Sequence, residues 1–296
     1  EIRPRDWSSD VCSSDLHLRE RGVATVCSFP NDPFEPPRWV ELLPGRDALV
    51  HPREFPDRPA VMVTCDAASM DRLAMLGHQA THAETVIWID HHRSNPGLGT
   101  IPVIDPDASS TCELVARLVG AIGGPMSAAT ATALYAGLIT DTGRFQYEAV
   151  RPETLRLAAE LRTLPFDHAR LAQALYEDNS AAYLRFLGTA LQRMRIEDGL
   201  VWTWVTRDDL AESGVDIAET DDLIDVVRTA REGRVAAVIK QQRDGRFKVS
   251  LRSRGDHDVA AVAARFGGGG HRLAAGYTSD ADLEGTVAAL RAALAG

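Results

Sequence analysis

The stretch TVIWIDHH, residues 85–92, joins a continuous apolar run to three adjacent polar side chains. An apolar run without alternation is typical of a strand that is buried on both faces, as in a parallel sheet. The stretch AVMVTCD, residues 60–66, repeats the pattern, since an apolar run again ends in a carboxylate. The two stretches therefore predict buried strands whose polar residues emerge where each strand ends.

Strand and helix patterns alternate on both sides of these stretches, from about residue 23 to residue 150. Further strands are predicted at residues 23–26 and 101–104, and helical spacing occurs at residues 67–80, 109–122 and 128–139. Ser109 or Ser110 is suited to cap the helix that follows it. This alternation predicts an α/β fold with a doubly wound, largely parallel sheet.

The pattern changes in the last third of the chain. After helices at residues 152–164 and 166–176, a helical stretch at residues 181–195 has few breakers and is interpreted as a linker. Strand patterns then occupy residues 200–206, 235–242 and 246–252, followed by helices at residues 259–266 and 283–294. In residues 246–252 apolar side chains alternate with polar ones, including Arg252, on the opposite face. We expect a domain at residues 17–178, a helical linker at 179–195 and a smaller α+β domain at 196–296.

The first 16 residues differ from the rest of the chain. They do not begin with Met, and Ser-Ser-Asp occurs at residues 8–10 and again at 13–15 without an amphipathic period. A disordered tail is one interpretation. We prefer the interpretation that residues 1–16 are a foreign or artefactual segment resembling translated sequencing adapter. His17 to Gly22 then predicts the last turn of a helix closed by glycine.

Composition excludes several classes of protein. The chain has 296 residues, 45% of them hydrophobic and 25% charged, which suits two globular domains. Its net charge of -10 disfavours binding to long duplex DNA. No apolar run is long enough to predict a membrane span. The four cysteines are scattered without a CxxC pair, which favours buried thiols and a cytoplasmic location over a disulfide framework.

Polar residues at the predicted strand ends are the candidate site. Asp66 ends one strand, Asp90-His91-His92 ends the next, and Asp141 follows a helix. A lone Asp in such a place is more often a helix cap, and a lone His is more often structural. In open α/β sheets, however, ligands bind beyond the carboxyl ends of the strands. Carboxylates mixed with imidazoles suit Mn²⁺ or a similar divalent ion, and the lack of clustered thiolates argues against structural zinc.

Four consecutive glycines at residues 267–270, followed by His271, form a second candidate site. Such a run has a high cost in backbone entropy on folding. A flexible loop is the simpler interpretation. The functional alternative is a loop whose exposed N–H groups approach an anion, with His271 and Arg252 supplying polar and cationic contacts.

These motifs, in this order and spacing, resemble those of the DHH phosphoesterase family with a C-terminal DHHA1 domain. The resemblance extends from about residue 17 to residue 296. Within the family, the sequence is most similar to the subgroup of bifunctional oligoribonucleases and pAp phosphatases. It implies a two-metal site for Mn²⁺, with Mg²⁺ or Co²⁺ as alternatives. It also implies that Asp66 bridges the two ions and that His91 and Asp141 ligate one of them.

The remaining roles implied by the resemblance concern the phosphate and the nucleotide. Asp90 supports the site, and His92 faces the scissile phosphate for charge stabilisation or proton transfer. Arg93 and Asn95 help to hold the phosphate. The residues that resemble the substrate clamp of the DHHA1 domain are Arg252, Gly268, Gly269 and His271.

The resemblance implies metal-dependent hydrolysis of phosphoester bonds in short oligoribonucleotides, in 3'-phosphoadenosine 5'-phosphate (pAp) or in products of cyclic dinucleotides. A non-catalytic nucleotide-binding module and an enzyme like the inorganic pyrophosphatases are the alternatives. The expected partners are short RNA oligonucleotides or a nucleotide bisphosphate, with a homodimer as a further possibility for the assembly. One departure concerns activity: the family's first motif, HxxPDxD, does not occur in the sequence. Because it supplies further metal ligands, we expect weak or no hydrolysis by the chain as printed.

Overall fold

The computed structural model describes residues 10–30, 34, 40, 43–255 and 257–295. The chain divides into two compact units, Glu1–Asp178 and Asn179–Gly296. None of the helices within the described ranges combines the length and the apolar character needed to cross a bilayer.

The first unit is organised around a three-stranded parallel sheet. Its strands are β1 (Val61–Cys65), β2 (Thr85–Asp90) and β3 (Ile101–Ile104), in the order β1-β2-β3. The apolar run of β2 lies in the centre, and Trp88 and Ile89 are almost completely buried. The prediction of an α/β fold with a parallel sheet is therefore confirmed.

Six α-helices occur within the described residues of this unit. They are α1 (Asp10–Arg19), α2 (Gly77–His82), α3 (Thr111–Ile122), α4 (Ala128–Asp141), α5 (Pro152–Leu161) and α6 (His168–Tyr176). Ser110 caps α3 by accepting a hydrogen bond from the backbone N–H of Glu113. Helices α3 and α4 are mostly buried and form the core of the unit with Ile89 of the central strand.

Two predicted elements of this unit differ from the structure. Residues 23–26 do not form a strand; the neighbouring Cys27 makes a single parallel bridge to Leu49, so the segment lacks a continuous strand partner among the described residues. Residues 67–80 are not one helix but a 3₁₀ segment, Met70–Leu76, followed by α2. Ala74, inside the 3₁₀ segment, has φ 36 and ψ -110, which lie outside the helical region, so the chain does not continue as one helix.

Helix α1 extends across the boundary expected between residues 16 and 17. Ser13, Asp15 and His17 are all buried, and Asp15 accepts a hydrogen bond from Thr25. Both ring nitrogens of His17 lack a hydrogen-bond partner among the described residues. Burying unpaired polar atoms costs free energy, so this helix is poorly matched to its surroundings.

The second unit contains a six-stranded mixed sheet in the order β4-β5-β6-β7-β9-β8. Its strands are β4 (Arg195–Glu197), β5 (Leu200–Val205), β6 (Val235–Gln241), β7 (Phe247–Ser253), β8 (Gly269–His271) and β9 (Ala274–Ser279). Only the pair β5–β6 is parallel among the ladders described. This mixed sheet agrees with the α+β fold predicted for the last third of the chain.

Helices cover both faces of the second sheet. Those of the unit are α7 (Ala181–Gln192), α8 (Arg207–Ser213), α9 (Leu223–Val227), α10 (Val259–Ala264) and α11 (Leu283–Ala295). Helices α7 and α9 pack on one face, and α10 and α11 pack on the other. Helix α7, expected as the linker, contributes Tyr183 and Phe186 to the core of this unit.

A buried carboxylate anchors the start of α3. Glu113 accepts hydrogen bonds from the backbone and hydroxyl of Ser109, from Arg117 at 2.6 Å and from Arg151 at 2.8 Å. Burial by itself would raise the pKa of Glu113, but these donors hold it below its ordinary value. The ionised carboxylate therefore stabilises the folded state.

Substitution of Glu113 by Gln is expected to lower the free energy of unfolding by ~1–3 kcal/mol at pH 7, because buried donors lose their ionised acceptor. A lowered pKa in the folded state stabilises above the unfolded-state pKa, and this contribution disappears as the pH falls through the folded-state pKa. The gap between Glu113→Gln and wild type should therefore shrink as the pH falls below about 4. Urea denaturation of the variant and of wild type, at pH 7 and again below about pH 4, measures this difference in the free energy of unfolding.

The matched control is Glu153→Gln, which removes an exposed carboxylate paired with Arg156. This pair lies in solvent, so its loss should change stability little. Equal effects of the two substitutions at pH 7 would contradict the role assigned to Glu113.

Candidate functional site

Asp66 follows β1 directly and adopts a left-handed backbone conformation, with φ 58. Its backbone N–H donates to the carbonyl of Ile89 at 3.0 Å, which continues the pairing of β1 with β2 by one residue. A positive φ is uncommon for a residue other than glycine and is most often found in Asn and Asp. The turn takes the chain away from the sheet while its carboxylate stays at the strand end.

His91 lies opposite this carboxylate, at the end of β2. Its Nε2 is 3.5 Å from Asp66 Oδ1. Its Nδ1 lies 3.3 Å from the carbonyl of Ala108, to which it donates a hydrogen bond. This contact places a proton on Nδ1, so the neutral tautomer that it selects has its lone pair on Nε2, on the side of Asp66.

Asp90 and His92 form a second pair. Asp90 is 0% exposed, and its Oδ1 accepts hydrogen bonds from His92 Nδ1 at 2.6 Å and from the His92 backbone N–H at 3.1 Å. Burial by itself would raise the pKa of Asp90, but the donors His92 and Asn95 hold it below its usual value. Asp90 is thus a buried carboxylate that keeps its charge.

The same pairing sets the charge of His92. Burial favours the neutral ring, but the hydrogen bond to Asp90 and the nearby Asp66 carboxylate raise the pKa of His92 above its ordinary value. His92 Nδ1 also lies 3.7 Å from Asp66 Oδ1. The arrangement favours a protonated, positively charged imidazole at the end of β2.

Asn95 stabilises the turn that carries these groups. Its amide nitrogen donates to Asp90 Oδ2 at 2.7 Å and to the carbonyl of Ala67 at 3.2 Å. Its amide oxygen accepts hydrogen bonds from the backbone N–H groups of Gly97 and Leu98. The side chain is therefore engaged within the protein rather than extended towards solvent.

Arg93 lies outside this network. Its side chain is 80% exposed and is 3.7 Å from the equally exposed Asp107. Such a pair contributes little to stability in water. Its guanidinium is accessible to an anionic ligand.

Asp66, His91 and His92 could hold a metal ion. Each offers a ligand atom, and these atoms lie within 4.8 Å of one another; no second such group occurs in the described part of the chain. The set of one carboxylate and two imidazoles suits a divalent transition ion. The Nδ1 atom of His92 is already bound to Asp90, so Asp66 and His91 fit a ligand role better than His92 does.

Asp141 is not a member of this group. It is the last residue of α4 rather than a residue beyond the helix, and it is partly buried. Its role as a metal ligand therefore stays a prediction.

Arg252 is buried, although its place on the polar face of the predicted strand suggested an exposed side chain. It is only 5% exposed; its Nη1 donates to the carbonyl of Leu251, and its Nε is 3.7 Å from Asp225. The apolar face of β7 is as predicted, with Phe247, Val249 and Leu251 buried. Helix α9 supplies the partly exposed Asp225 carboxylate that lies beside the buried Arg252, and strand periodicity alone does not indicate this helix.

The run of glycines is partly a strand rather than a loop. Residues Gly269–His271 form β8, which pairs with β9. A Cβ atom on Gly268 would lie 2.2 Å from the carbonyl oxygen of Gly276, and one on Gly270 would lie 2.5 Å from that of Ala274. Close packing therefore explains both glycines, whereas Gly269 has open space around its Cα. His271 ends β8 and is exposed.

Sequence reasoning did not identify Thr111 and Ala108 as part of this site. Thr111 donates its hydroxyl hydrogen to Asp66 Oδ1 at 2.7 Å, and the carbonyl of Ala108 accepts from His91. The signal for their location is the helix predicted at residues 109–122, with Ser109 or Ser110 as its cap. A helix start that follows a strand of a parallel sheet lies at the same edge as the strand ends.

Both domains of the chain match sequence models of known protein families. Residues 13–138 match the sequence model described as the DHH family, N-terminal domain, and residues 202–296 match that of the DHHA1 domain. The chain is 34% identical over 246 residues to a bifunctional oligoribonuclease and PAP phosphatase NrnA from Thermus thermophilus, covering 82% of this chain and 72% of that protein.

Two further proteins extend the comparison. A cyclic-di-AMP phosphodiesterase GdpP from Geobacillus thermodenitrificans is 32% identical over 219 residues, which are 72% of this chain and 32% of that protein. The crystal structure of an exopolyphosphatase-related protein from Bacteroides fragilis superposes with a TM-score of 0.90 at 22% identity, covering 98% of this chain and 88% of that one. This last likeness concerns the fold. Together with the Asp66, Asp90, His91 and His92 constellation, these matches show that the chain belongs to the DHH phosphoesterase family, with a DHH domain followed by a DHHA1 domain.

Proposed function

We propose that this protein is a metal-dependent phosphoesterase that hydrolyses short oligoribonucleotides and pAp. The observation that carries the proposal is the convergence of Asp66, His91 and His92 at the carboxyl ends of two parallel strands. The relatives named above are hydrolases of phosphoester bonds, which does not favour the alternative of a non-catalytic binding module.

The metal is proposed to be Mn²⁺, with Mg²⁺ or Co²⁺ as substitutes, held by Asp66, His91 and Asp141. When bound, the ion supplies a Lewis acid for the phosphoryl oxygens and lowers the pKa of a coordinated water. The His91 tautomer supports this assignment, because the hydrogen bond to Ala108 leaves Nε2 for the ion. The positive charge of the ion also explains how a protein of net charge -10 attracts an anionic substrate.

His92 is proposed to act on the phosphate rather than on the metal. Its Nδ1 is bound to Asp90, so Nε2 is the ring atom that we propose for contact with the phosphate. The raised pKa keeps more of this imidazole protonated near neutral pH. A protonated Nε2 can stabilise charge on a phosphoryl oxygen or donate a proton to the leaving oxygen.

Residues proposed to contact nucleotides occur in each of the two domains. In the DHH domain, Arg93 contributes an exposed guanidinium, and Asn95 contributes through the turn that it stabilises. In the DHHA1 domain the proposed residues are Arg252, Gly268, Gly269 and His271. The open space around Gly269 would allow close approach of a ligand to the backbone.

The substrate class follows from the relatives and from charge. Short oligoribonucleotides, pAp and products of cyclic dinucleotides are all small anions that carry phosphoester bonds to ribose, and they need no basic track of the kind that long duplexes require. The protein is proposed to act in the cytoplasm, as monomer or homodimer. Scattered cysteines, of which Cys27 and Cys112 are buried, fit that compartment.

The test is to incubate two proteins with Mn²⁺ and either pAp or a diribonucleotide. One is the printed chain, and the other carries an HxxPDxD-bearing segment of a relative in place of residues 1–16. The second protein should release phosphate from pAp and mononucleotides from the diribonucleotide, and the first should do so weakly or not at all. A folded second protein that releases neither product would refute the proposed function.

Substitution of Asp66 by Asn in the second protein is expected to lower hydrolysis by about 100-fold or more. A ligand carboxylate contributes several kcal/mol to a metal-assisted transition state. Steady-state rates with pAp measure the loss. The control is His82→Ala, which removes an exposed imidazole of α2 and should leave the rate unchanged. Near-normal turnover by Asp66→Asn would remove Asp66 from the site.

Substitution of Arg252 by Ala should raise KM for pAp about tenfold and largely spare hydrolysis of a generic aryl phosphodiester. The reason is that Arg252 belongs to the domain that carries no proposed metal ligand. Arg231→Ala, which removes an exposed guanidinium of the same domain, is the control. Thermal melting checks the fold, because Arg252 is buried. Equal losses on the two substrates would contradict a role in nucleotide binding.

A further inference from the structure

We propose that the turn at residues 108–111, which leads into α3, positions the metal ligands, and that Thr111 is its main positioning residue. This inference rests on the proposed function, since it concerns the same site. It adds residues that act through Asp66 and His91 rather than on the substrate.

The contact between Thr111 and Asp66 is short and partly buried. Thr111 Oγ1 donates to Asp66 Oδ1 at 2.7 Å, and Thr111 is 0% exposed. Asp66 has left the regular geometry of β1, because its φ is 58. Its carboxylate therefore depends on side-chain contacts for its orientation. A carboxylate has about four lone-pair positions, so the Thr111 hydrogen bond leaves others for a cation.

The same turn also orients His91. The carbonyl of Ala108 accepts the Nδ1 proton of His91 at 3.3 Å. A histidine that binds a metal through one nitrogen usually donates its other N–H to a carbonyl or a carboxylate, and this contact selects the tautomer. Two residues of one turn thus contact two proposed ligands that come from different strands.

The turn is itself held by buried charge. Glu113 accepts from both the backbone and the hydroxyl of Ser109, and it pairs with Arg117 and Arg151. Ser110 caps α3 through the backbone N–H of Glu113. The position of Thr111 is therefore tied to the core of the first unit and not only to the ligand that it contacts.

Contacts of Ala67, the residue that follows Asp66, hold the backbone next to the candidate ligand. Its carbonyl accepts from Trp88 Nε1 at 2.7 Å and from Asn95 Nδ2 at 3.2 Å. The backbone next to Asp66 is thereby held by β2 and by the turn after it, while Thr111 holds the side chain. Asp66 can then keep one orientation before a metal arrives, which lowers the ordering cost of binding.

The experiment measures Mn²⁺ binding to the full printed chain by electron paramagnetic resonance, with no substrate present. Thr111→Val keeps the shape of the side chain and removes the hydroxyl. It should weaken Mn²⁺ binding by about 10–100-fold, the usual effect of losing an outer contact to a ligand. Thr111→Ser retains the hydroxyl and should restore the binding of wild type.

The matched control is Thr130→Val in α4. Thr130 is also 0% exposed and near a helix start, but its hydroxyl contacts Ser127 instead of a proposed ligand. This variant should bind Mn²⁺ as wild type does, even if its melting temperature falls. Unchanged affinity in Thr111→Val, or an equal loss in Thr111→Val and Thr130→Val, would overturn the positioning role.

The outcomes separate this inference from the proposed function. Weakened Mn²⁺ binding by Thr111→Val would support the positioning role even if no nucleotide is hydrolysed, in which case only the proposed function fails. A wild-type chain that binds no Mn²⁺ would refute the metal site, and the positioning role with it.

Discussion

The parallel pairing of β1 with β2, with Cys65 opposite Ile89, is the constraint on which the site depends. This register ends both strands at the same level, so Asp66 and His91 emerge side by side. A shift by one residue would send alternate side chains to opposite faces and separate the two groups. The apolar runs of the two strands hold the register, because both faces of the sheet are covered in the first unit.

Charge inside the first unit is stabilised by specific partners. Asp90 and Glu113 are both buried, and each has a pKa below its ordinary value because several hydrogen bonds outweigh the cost of burial. Asp90 orients His92 at the candidate site, and Glu113 anchors the turn that contacts Asp66 and His91. Removing one partner from such a pair leaves a buried charge uncompensated, so structural and functional effects of substitutions are expected to overlap here.

The glycines of residues 267–270 combine a packing role with a proposed role in ligand binding. Gly268 and Gly270 are required by the close approach of β8 to β9, which is a packing reason. Gly269 lacks such a reason, and the space around it suits the proposed approach of a ligand. An interpretation of all four residues as a flexible loop misses the strand, because strand propensity is low for glycine and the pairing comes from β9.

The sequence by itself determined the parallel strands β1, β2 and β3, helices α3 and α4, and the change to strand patterns in the last third of the chain, because apolar periodicity reports burial directly; the strand predicted at residues 23–26 was wrong. It also placed Asp66, Asp90, His91 and His92 at strand ends. Only the tertiary structure decided the interruption at residues 67–80, the burial of Arg252 beside Asp225, and the contacts of Thr111 and Ala108 with the proposed ligands. These features join residues that are up to 45 positions apart in the chain, as the Thr111–Asp66 hydrogen bond shows. Local patterns encode which face of an element is buried, whereas a hydrogen bond between distant residues exists only once the elements that carry them have packed.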